Sequence, residues 1–302
     1  MSQLTNQQKS RMTRQPKGQP TSLPGSTKTK LPATSITNMS VKECLKRYGR
    51  EFAIGGLLLI VGGGMVHGLA EAPVPSEIEI AGYATSLRGR TAGQRHNASK
   101  AADAFDGKII APGAVFSFNA TVKSWSADQG FVKAPVSYDG ELIKAYGGGV
   151  CQTSTTLYNA ALLAGLPIVE RHAHVFAPHY VPPGLDAAVA QRNIDLRFRN
   201  PYKWPLRLRA NVIGDHLEVR IFGAKPIPQH VEISTEILSV SVPAHLTRVS
   251  HSRTSNGNPS YTRNPGAVGC RVIAYRAISQ RRERLSDDTY QAMDRIVKID
   301  EK

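Results

Sequence analysis

The residues best suited to chemistry follow a run of three glycines, in the segment GGGVCQTSTTLYNA at positions 147–160, where a helical apolar pattern begins at Cys151. Unpaired N–H groups and a partial positive charge at a helix N-terminus favour the thiolate, which is the nucleophilic form of cysteine. The same N–H groups can stabilise the oxyanion that forms when a thiolate attacks a carbonyl. The pattern therefore predicts acyl transfer by Cys151. The substrate-binding or oxyanion candidates are Gly148, Gly149 and Gln152, although Gln152 is equally suited to cap the helix.

Two histidines that follow this helix are the candidates for a general base. His172 and His174 lie 21 and 23 residues after Cys151, a spacing that accommodates one helix and a return turn. At alternate positions of a strand both would point to the same face, so the sequence leaves the choice between them open, and either could instead hold the loop. Asp186 and Asp195 are the candidates to orient the base, and Asp186 is equally suited to fix a turn.

Other roles compete with catalysis at these positions. A cysteine is commonly a small buried hydrophobic residue, and this applies to Cys151 as well as to Cys270. Zinc binding by Cys151 together with His172, His174 and His179 is an alternative, but the sequence has no C-x-x-C or H-E-x-x-H pattern to support it. Acyl transfer by cysteine needs no cofactor, and we expect neither a cofactor nor a metal.

The charge of the chain is concentrated at its start. The 302 residues include 38 Lys and Arg against 23 Asp and Glu, for a net charge of +15. Residues 1–50 hold ten of the basic residues and one acidic residue, contain few large apolar side chains, and are predicted to be a disordered tail. Because the rest of the chain carries only +6 and the tail lacks interleaved aromatic residues, the composition argues against a nucleic-acid partner.

An apolar stretch follows the basic tail. Residues 52–70 run for 19 positions without Asp, Glu, Lys or Arg, which is the length of a membrane-spanning helix. Since the basic residues precede it, the positive-inside rule predicts a cytoplasmic N-terminus, a membrane anchor over residues 51–71 and an exported C-terminal part. A cleaved signal peptide, suggested by the A-x-A pattern at 70–72, and a buried core helix are the alternatives.

Two helices in the exported part must position the candidate residues. The spacing of apolar residues predicts a helix over residues 91–106, with Gly107 at its end. A second helix is predicted over residues 151–164, and its wide apolar face indicates that it is buried on most sides. The buried helix therefore begins at the loop that carries Cys151.

Strands are predicted around these helices. Ile78 and Ile80 indicate a short strand, and three later runs alternate apolar and polar residues, at 194–198, 206–210 and 217–221. We predict a solvated turn at 281–284 and a turn or short helix at 285–290. The fold class is therefore α+β, with an antiparallel β-sheet meander packed against the buried helix.

Five motifs, in the order in which they occur here, resemble the VanW domain. They are FSFN at 116–119, GGGVCQTSTTLY at 147–158, ERHAH at 170–174, YVPPG at 180–184 and DLRFRN at 195–200. The resemblance covers residues 77–225, and residues 226–302 resemble the β-rich extension that often follows this domain. The chain departs from the family pattern at Leu185, where the family commonly has Arg, and at Val175, where Ser often follows the second histidine.

The resemblance implies an exported protein that acts at the bacterial cell wall, in a family named after a glycopeptide-resistance gene cluster. Some members are understood as cysteine L,D-transpeptidases. By this resemblance Cys151 takes up the acyl group of a stem tetrapeptide and passes it to an amine on a second stem, and the family's histidine pair corresponds to His172 and His174. The implied partners are peptidoglycan stem peptides. A non-catalytic peptidoglycan-binding accessory protein linked to glycopeptide resistance and a thiol peptidase on stem peptides are the alternatives.

Overall fold

The computed structural model describes residues 77–138, 141–191, 193–227, 230–245, 247–252 and 261–300. The predicted tail and the predicted membrane anchor lie outside these ranges. Within them, none of the helices has the length and apolar character needed to cross a membrane.

The described residues form three α-helices, a short 3-10 helix (Ala127–Gln129) and fifteen strands. The helices are α1 (Ala92–Asp103), α2 (Phe118–Val122) and α3 (Val150–Leu163). The strands are β1 (Ile78–Ser86), β2 (Ile109–Ile110), β3 (Val115–Ser117), β4 (Lys133–Tyr138), β5 (Glu141–Tyr146), β6 (Ile168–Glu170), β7 (Arg197–Arg199), β8 (Leu206–Ile213), β9 (His216–Gly223), β10 (Val231–Ser241), β11 (Arg248–Ser252), β12 (Tyr261–Asn264), β13 (Gly269–Ile278), β14 (Arg281–Tyr290) and β15 (Ile296–Asp300).

The predicted α+β class agrees with this mixture of helices and mainly antiparallel sheets. The largest sheet has the order β1-β9-β8-β2, and the other groups are β10-β13-β14, β11-β15-β12, β3-β7-β6 and the hairpin β4-β5. The pair β11 and β15 is parallel, and the other pairs of the described strands are antiparallel.

The predicted three-strand meander is wrong in one respect. Strands β8 and β9 form the expected hairpin, but β7 pairs with β3 and β6 in a separate sheet. The Asn200 side chain donates to the carbonyl oxygens of Ile110 (3.0 Å) and Trp204 (2.9 Å), and these bonds hold the chain in a turn directly after β7. Because the chain turns there, β7 cannot continue into the sheet of β8.

Both predicted helices are confirmed. The Thr91 hydroxyl and the Gln94 side chain form a capping box at the start of α1. Ala98, Ala101 and Ala102 of α1 are buried in the main core. Helix α3 begins one residue before the predicted start and is buried along nearly its whole length. The two helices approach closely, and the candidate cysteine lies in the first turn of the more deeply buried one.

The second and third glycines before α3 are required by close packing. Gly149 has a φ of 109°, and a Cβ atom there would lie 2.2 Å from the carbonyl oxygen of Gln94 in α1. A Cβ atom at Gly148 would lie 2.6 Å from the carbonyl oxygen of Pro135. These two glycines therefore allow the start of α3 to pack against α1 and β4.

Residues 281–290, near the C-terminus, form a strand where a turn and a turn or short helix were predicted. Strand β14 pairs with β13 along its length, so the predictions for residues 281–284 and 285–290 are wrong. Opposite charges face each other across the two strands, because Arg271 pairs with Asp287 and Arg276 with Glu283. Glu283, one of the charged residues that suggested a solvated turn, thus helps to stabilise a hairpin.

The β13–β14 hairpin packs against the helix that carries the candidate cysteine. Arg276 of β13 is buried, and its guanidinium donates to the carbonyl oxygens of Leu162 (3.4 Å) and Leu166 (2.8 Å). Leu162 lies in the last turn of α3 and Leu166 follows the helix, so the guanidinium sits at the helix C-terminus, where a cation is favourable. Ala274 of β13 belongs to the same core cluster as α1 and α3.

Candidate functional site

Cys151 is the second residue of α3 and is half-buried. Its Sγ atom lies 3.4 Å from the carbonyl oxygen of Val189, and the thiol interacts with the His174 side chain. Burial alone would raise the pKa of the Cys151 thiol, but the hydrogen bond from His174 and its positive charge outweigh burial. The pKa therefore lies below the ordinary value for cysteine, which favours the nucleophilic thiolate.

His174 lies between the thiol and a carboxylate. Its Nδ1 atom is 2.6 Å from Oδ2 of Asp186, which leaves Nε2 as the ring nitrogen that can exchange a proton with Cys151. Burial would lower the pKa of His174, but the hydrogen bonds to Asp186 and Cys151 and their negative charges raise it to about 10. His174 is therefore an imidazolium at neutral pH, and the Cys151 thiol is shifted toward the thiolate.

Asp186 is completely buried and accepts hydrogen bonds on both oxygens. Oδ2 accepts from the backbone N–H of His174 (2.8 Å) as well as from its ring, and Oδ1 accepts from Arg171 (2.9 Å) and from the Tyr290 hydroxyl. Burial would raise the pKa of this carboxyl, but the His174 interactions, the Arg171 charge and the Tyr290 bond lower it. Asp186 is therefore held ionised, in a position that fixes the orientation of the imidazole.

Polar side chains of α3 hold the segment that carries Asp186. The Ser154 hydroxyl donates to the carbonyl oxygen of Ala187 (2.6 Å), and the Thr155 hydroxyl accepts from the Ala187 N–H (3.0 Å). Asn159 donates to the carbonyl oxygen of Leu185 (2.7 Å). All three side chains are buried, so these bonds form away from water, where an unpaired polar group is costly. The helix that presents Cys151 thus also positions the carboxylate.

Strand β14 contributes residues that sequence reasoning missed. The Tyr290 hydroxyl donates to Asp186 and accepts from the N–H of Gly184 at 2.8 Å. Arg171 bridges Asp186 and Asp288 of β14, with 2.6 Å between its Nη1 atom and Asp288 Oδ2. Only the position of Arg171 beside the histidine pair was visible in the sequence, because the contacts of Tyr290 and Asp288 depend on the β13–β14 hairpin.

His172 and Asp195 lie in other surroundings. The Nε2 atom of His172 is 3.1 Å from Glu170 Oε1, and its ring lines a cavity of about 420 Å³ that Asp288 also lines. Asp195 accepts from the Ser117 hydroxyl (2.5 Å) and the Asn119 N–H (2.8 Å), and so caps α2. The structure therefore brings together Cys151, His174 and Asp186, and the other two candidates are bonded elsewhere.

The Gln152 side chain is held on all sides. Its amide nitrogen donates to the Thr85 hydroxyl (3.0 Å) and the Ser86 carbonyl oxygen (2.8 Å), and its amide oxygen accepts from Arg90 Nε (3.0 Å). Its backbone N–H donates to the carbonyl oxygen of Gly149 at 3.1 Å. Because these N–H groups are engaged, the N–H of Cys151, in the first helical turn where no intrahelical acceptor exists, is the better placed oxyanion donor.

The combination of thiol, imidazole and buried carboxylate has the connectivity of a nucleophile, a base and an orienting group. Within the ranges that the structure covers, no three His, Cys, Asp or Glu side chains form a group that could hold a metal ion. The chemistry that these side chains can perform is attack on a carbonyl carbon, with the imidazole as the proton carrier.

A family model described as VanW like protein matches residues 93–222. This range includes all three residues of the arrangement, whereas Asp288 and Tyr290 lie beyond it. The match confirms the resemblance that the five motifs indicated.

Two curated proteins are similar to this chain. The Uncharacterized protein YoaR of Bacillus subtilis (strain 168) is 38% identical over 145 residues, which are 48% of this chain and 48% of that protein. The Vancomycin B-type resistance protein VanW of Enterococcus faecalis (strain ATCC 700802 / V583) is 33% identical over 134 residues, 43% of this chain and 49% of that protein. The chain thus spans about half the length of these relatives. No solved structure matches it.

Proposed function

The chain carries a VanW-like domain at residues 93–222, and on that premise we propose that it is a cysteine acyltransferase of the L,D-transpeptidase type that acts on peptidoglycan stem peptides. The observation that supports acyl transfer is the chain of contacts from the Cys151 thiol through the His174 ring to Asp186. The name of one relative, a vancomycin B-type resistance protein, supports a substrate in the cell wall.

The first step forms a thioester. The Cys151 thiolate attacks the carbonyl carbon of the donor peptide bond, and the oxyanion is stabilised by the Cys151 N–H. His174 gives its Nε2 proton to the leaving amine, so that the C–N bond breaks as a neutral amine departs. The enzyme then holds the acyl group on sulfur and a neutral His174.

The second step transfers the acyl group to an amine. The acceptor nitrogen attacks the thioester carbonyl carbon and loses a proton to His174 Nε2, and the C–S bond breaks to restore the thiolate and the imidazolium. Asp186 stays ionised throughout because Arg171 and Tyr290 stabilise its charge, and it keeps the ring in the orientation that both proton transfers need.

Product analysis with a tetrapeptide stem as donor and a second stem as amine acceptor tests this proposal. The proposal predicts a cross-linked dimer that has lost one terminal residue of the donor. Release of a tripeptide even when the acceptor is in excess would identify a thiol peptidase instead. Binding of the peptides without any product would identify a binding module.

Two cysteine variants make the test specific. C151A should abolish the dimer. C270A removes a thiol that is buried in β13 and should leave the dimer unchanged. Equal loss of product in both variants would contradict the assignment of Cys151.

A further inference from the structure

Arg90 lies beside the candidate nucleophile and makes no contact with an acidic side chain among the described residues. It precedes the Thr91 cap of α1, and its Nε atom donates to Oε1 of Gln152 (3.0 Å), the residue after Cys151. Its guanidinium carbon lies 5.1 Å from the centre of the Tyr180 ring. Arg90 thus packs against two residues that border the site.

Unlike Arg90, the neighbouring arginines are paired with acidic side chains within the ranges that the structure describes. Arg88 and Arg95 both pair with Asp215, at 3.6 Å and 2.8 Å. Arg171, the other arginine near the site, pairs with Asp186 and with Asp288 at 2.9 Å and 2.6 Å.

The open edge of the Arg90 guanidinium suits a carboxylate. Nε is used by Gln152, and within the described part of the chain no acceptor contacts the two Nη atoms. These atoms form the terminal edge of the fork, which can bind both oxygens of a carboxylate at once. Burial lowers the pKa of Arg90, which indicates that the cation is partly removed from water without an anion to offset the cost. A ligand that brings a carboxylate would relieve that cost.

Tyr180 connects this edge to the reacting thiol. Burial and then the charge of the Cys151 thiolate raise the pKa of its hydroxyl, and an interaction with Thr155 of α3 offsets part of this rise. Tyr180 is therefore close enough to Cys151 to sense its charge, while its ring packs against Arg90. Arg90 therefore contacts Tyr180 and Gln152, the residue next to Cys151, and a carboxylate bound at Arg90 would lie on the side of the site that these residues border.

We propose that Arg90 binds the free α-carboxylate of the amino acid that leaves when Cys151 is acylated. In a peptide, this carboxylate is separated from the scissile nitrogen by a single carbon atom, so a guanidinium beside the nucleophile can reach it when the leaving residue is the last of its chain. The inference rests on the proposed function and restricts which peptides can be its acyl donor. The donor must be a peptide that ends one residue after the scissile bond, with its terminal carboxylate free.

A pair of donors that differ in one group tests this subsite. One is the tetrapeptide stem with a free C-terminal carboxylate, and the other is the same peptide with a C-terminal amide. The rate of thioester formation should be about 10- to 100-fold higher for the acid, which is the range expected for hydrogen bonds to a charged group. In R90Q this preference should disappear, because the rate with the acid falls to that with the amide.

R88Q is the matched control, since Arg88 lies two residues earlier and pairs with Asp215 on the surface. It should retain the full preference for the acid. The amide donor controls for folding, because a misfolded R90Q protein would lose its reaction with the amide as well. In that case R90K, which keeps the charge without the fork, should react with both donors and show a reduced preference.

A binding measurement separates this inference from the proposed function. In the C151A protein, calorimetry should show about 10-fold or tighter binding of the acid than of the amide, and the added R90Q substitution should remove the difference. If thioester forms and the preference for the acid over the amide is the same in the native protein and in R90Q, the role of Arg90 is overturned but the acyltransferase is not. If no thioester forms but the Arg90-dependent binding difference is present, the subsite stands and the acyltransferase fails. Equal binding of acid and amide to C151A would overturn the subsite.

Discussion

The hydroxyl of Tyr290 donates a hydrogen bond to the carboxylate of Asp186, although 104 residues separate the two in the sequence. The same hydroxyl accepts from the N–H of Gly184, next to the segment that carries Asp186. Strand β14 lies outside the range matched by the family model, yet it supplies one of the bonds that keep Asp186 ionised. The β-rich extension therefore completes the surroundings of the candidate site.

Y290F should destabilise the protein and slow thioester formation. It leaves the Gly184 N–H buried without its acceptor and removes one bond from Asp186, and the lost bonds correspond to about 1–3 kcal/mol of unfolding free energy. Urea denaturation measures the loss. Y275F on the neighbouring strand keeps the ring that packs against Arg282 and should change the unfolding free energy little. Equal stability of Y290F and the native protein would show that the hydroxyl contributes nothing.

The alkylation of Cys151 by iodoacetamide, followed between about pH 6 and 9, should persist to a lower pH than it does in H174Q. The thiol pKa is lowered by His174, so the thiolate persists at a pH where an ordinary thiol is protonated. The pKa of His174 is raised to about 10, so its proton is retained throughout this range. In H174Q only burial would remain as the main influence, the thiol pKa would rise, and alkylation should accelerate steeply toward alkaline pH.

H172Q provides the matched control for this measurement. His172 interacts with Glu170 and not with the thiol, so its removal should leave the pH profile of Cys151 alkylation unchanged. Intact-mass spectrometry follows the alkylation of both variants. A profile that changes in H172Q and not in H174Q would reverse the assignment of the base.

G149A should lower the free energy of unfolding far more than G89A does. Both glycines have a positive φ, of 109° at Gly149 and 74° at Gly89, which side chains rarely adopt. At Gly149 the added Cβ would also lie 2.2 Å from the Gln94 carbonyl oxygen, whereas at Gly89 no atom lies within 4 Å. We expect the free energy of unfolding, measured by urea denaturation, to fall by about 1 kcal/mol in G89A and by at least twice that in G149A. Similar losses in the two variants would contradict the packing of α3 on α1.

We propose that residues 51–71 anchor the chain with the candidate domain outside the cytoplasmic membrane. The basic residues before this segment and the uncharged run within it support the orientation. Protease added to intact spheroplasts should digest the C-terminal part and leave the N-terminal tail protected. Protection of the C-terminal part until the membrane is dissolved would contradict the orientation.

The three residues of the candidate site could be proposed from the sequence because local patterns carry them. The glycines and the helical pattern indicate where Cys151 lies, and motif order identified the segments of His174 and Asp186. The choice between His172 and His174 could not be made, because it depends on which ring meets Asp186 after the chain has folded back on α3. At alternate positions of a strand both rings lie on the same face, so the pattern does not distinguish them.

The contribution of β14 could not be predicted for a different reason. Its run of Arg and Glu residues is typical of a solvated turn when the neighbouring strand is unknown. Its Glu283 pairs with Arg276 of β13 and its Arg282 packs on Tyr275, so the run forms part of a hairpin, which places Tyr290 and Asp288 beside Arg171. Such contacts, more than 100 residues apart, follow from sheet pairing and leave no local pattern in the sequence.

Intact-mass spectrometry of the protein after acid quenching tests whether Cys151 forms an acyl-enzyme. The protein is incubated under reducing conditions with the tetrapeptide stem and no acceptor, with C151A and H174Q in parallel. We expect a mass gain equal to the acyl part of the donor on the native protein, a much slower gain in H174Q and none in C151A. An unmodified native protein that nevertheless binds the peptide in calorimetry would contradict it, and Cys151 would then be a structural residue of a binding module.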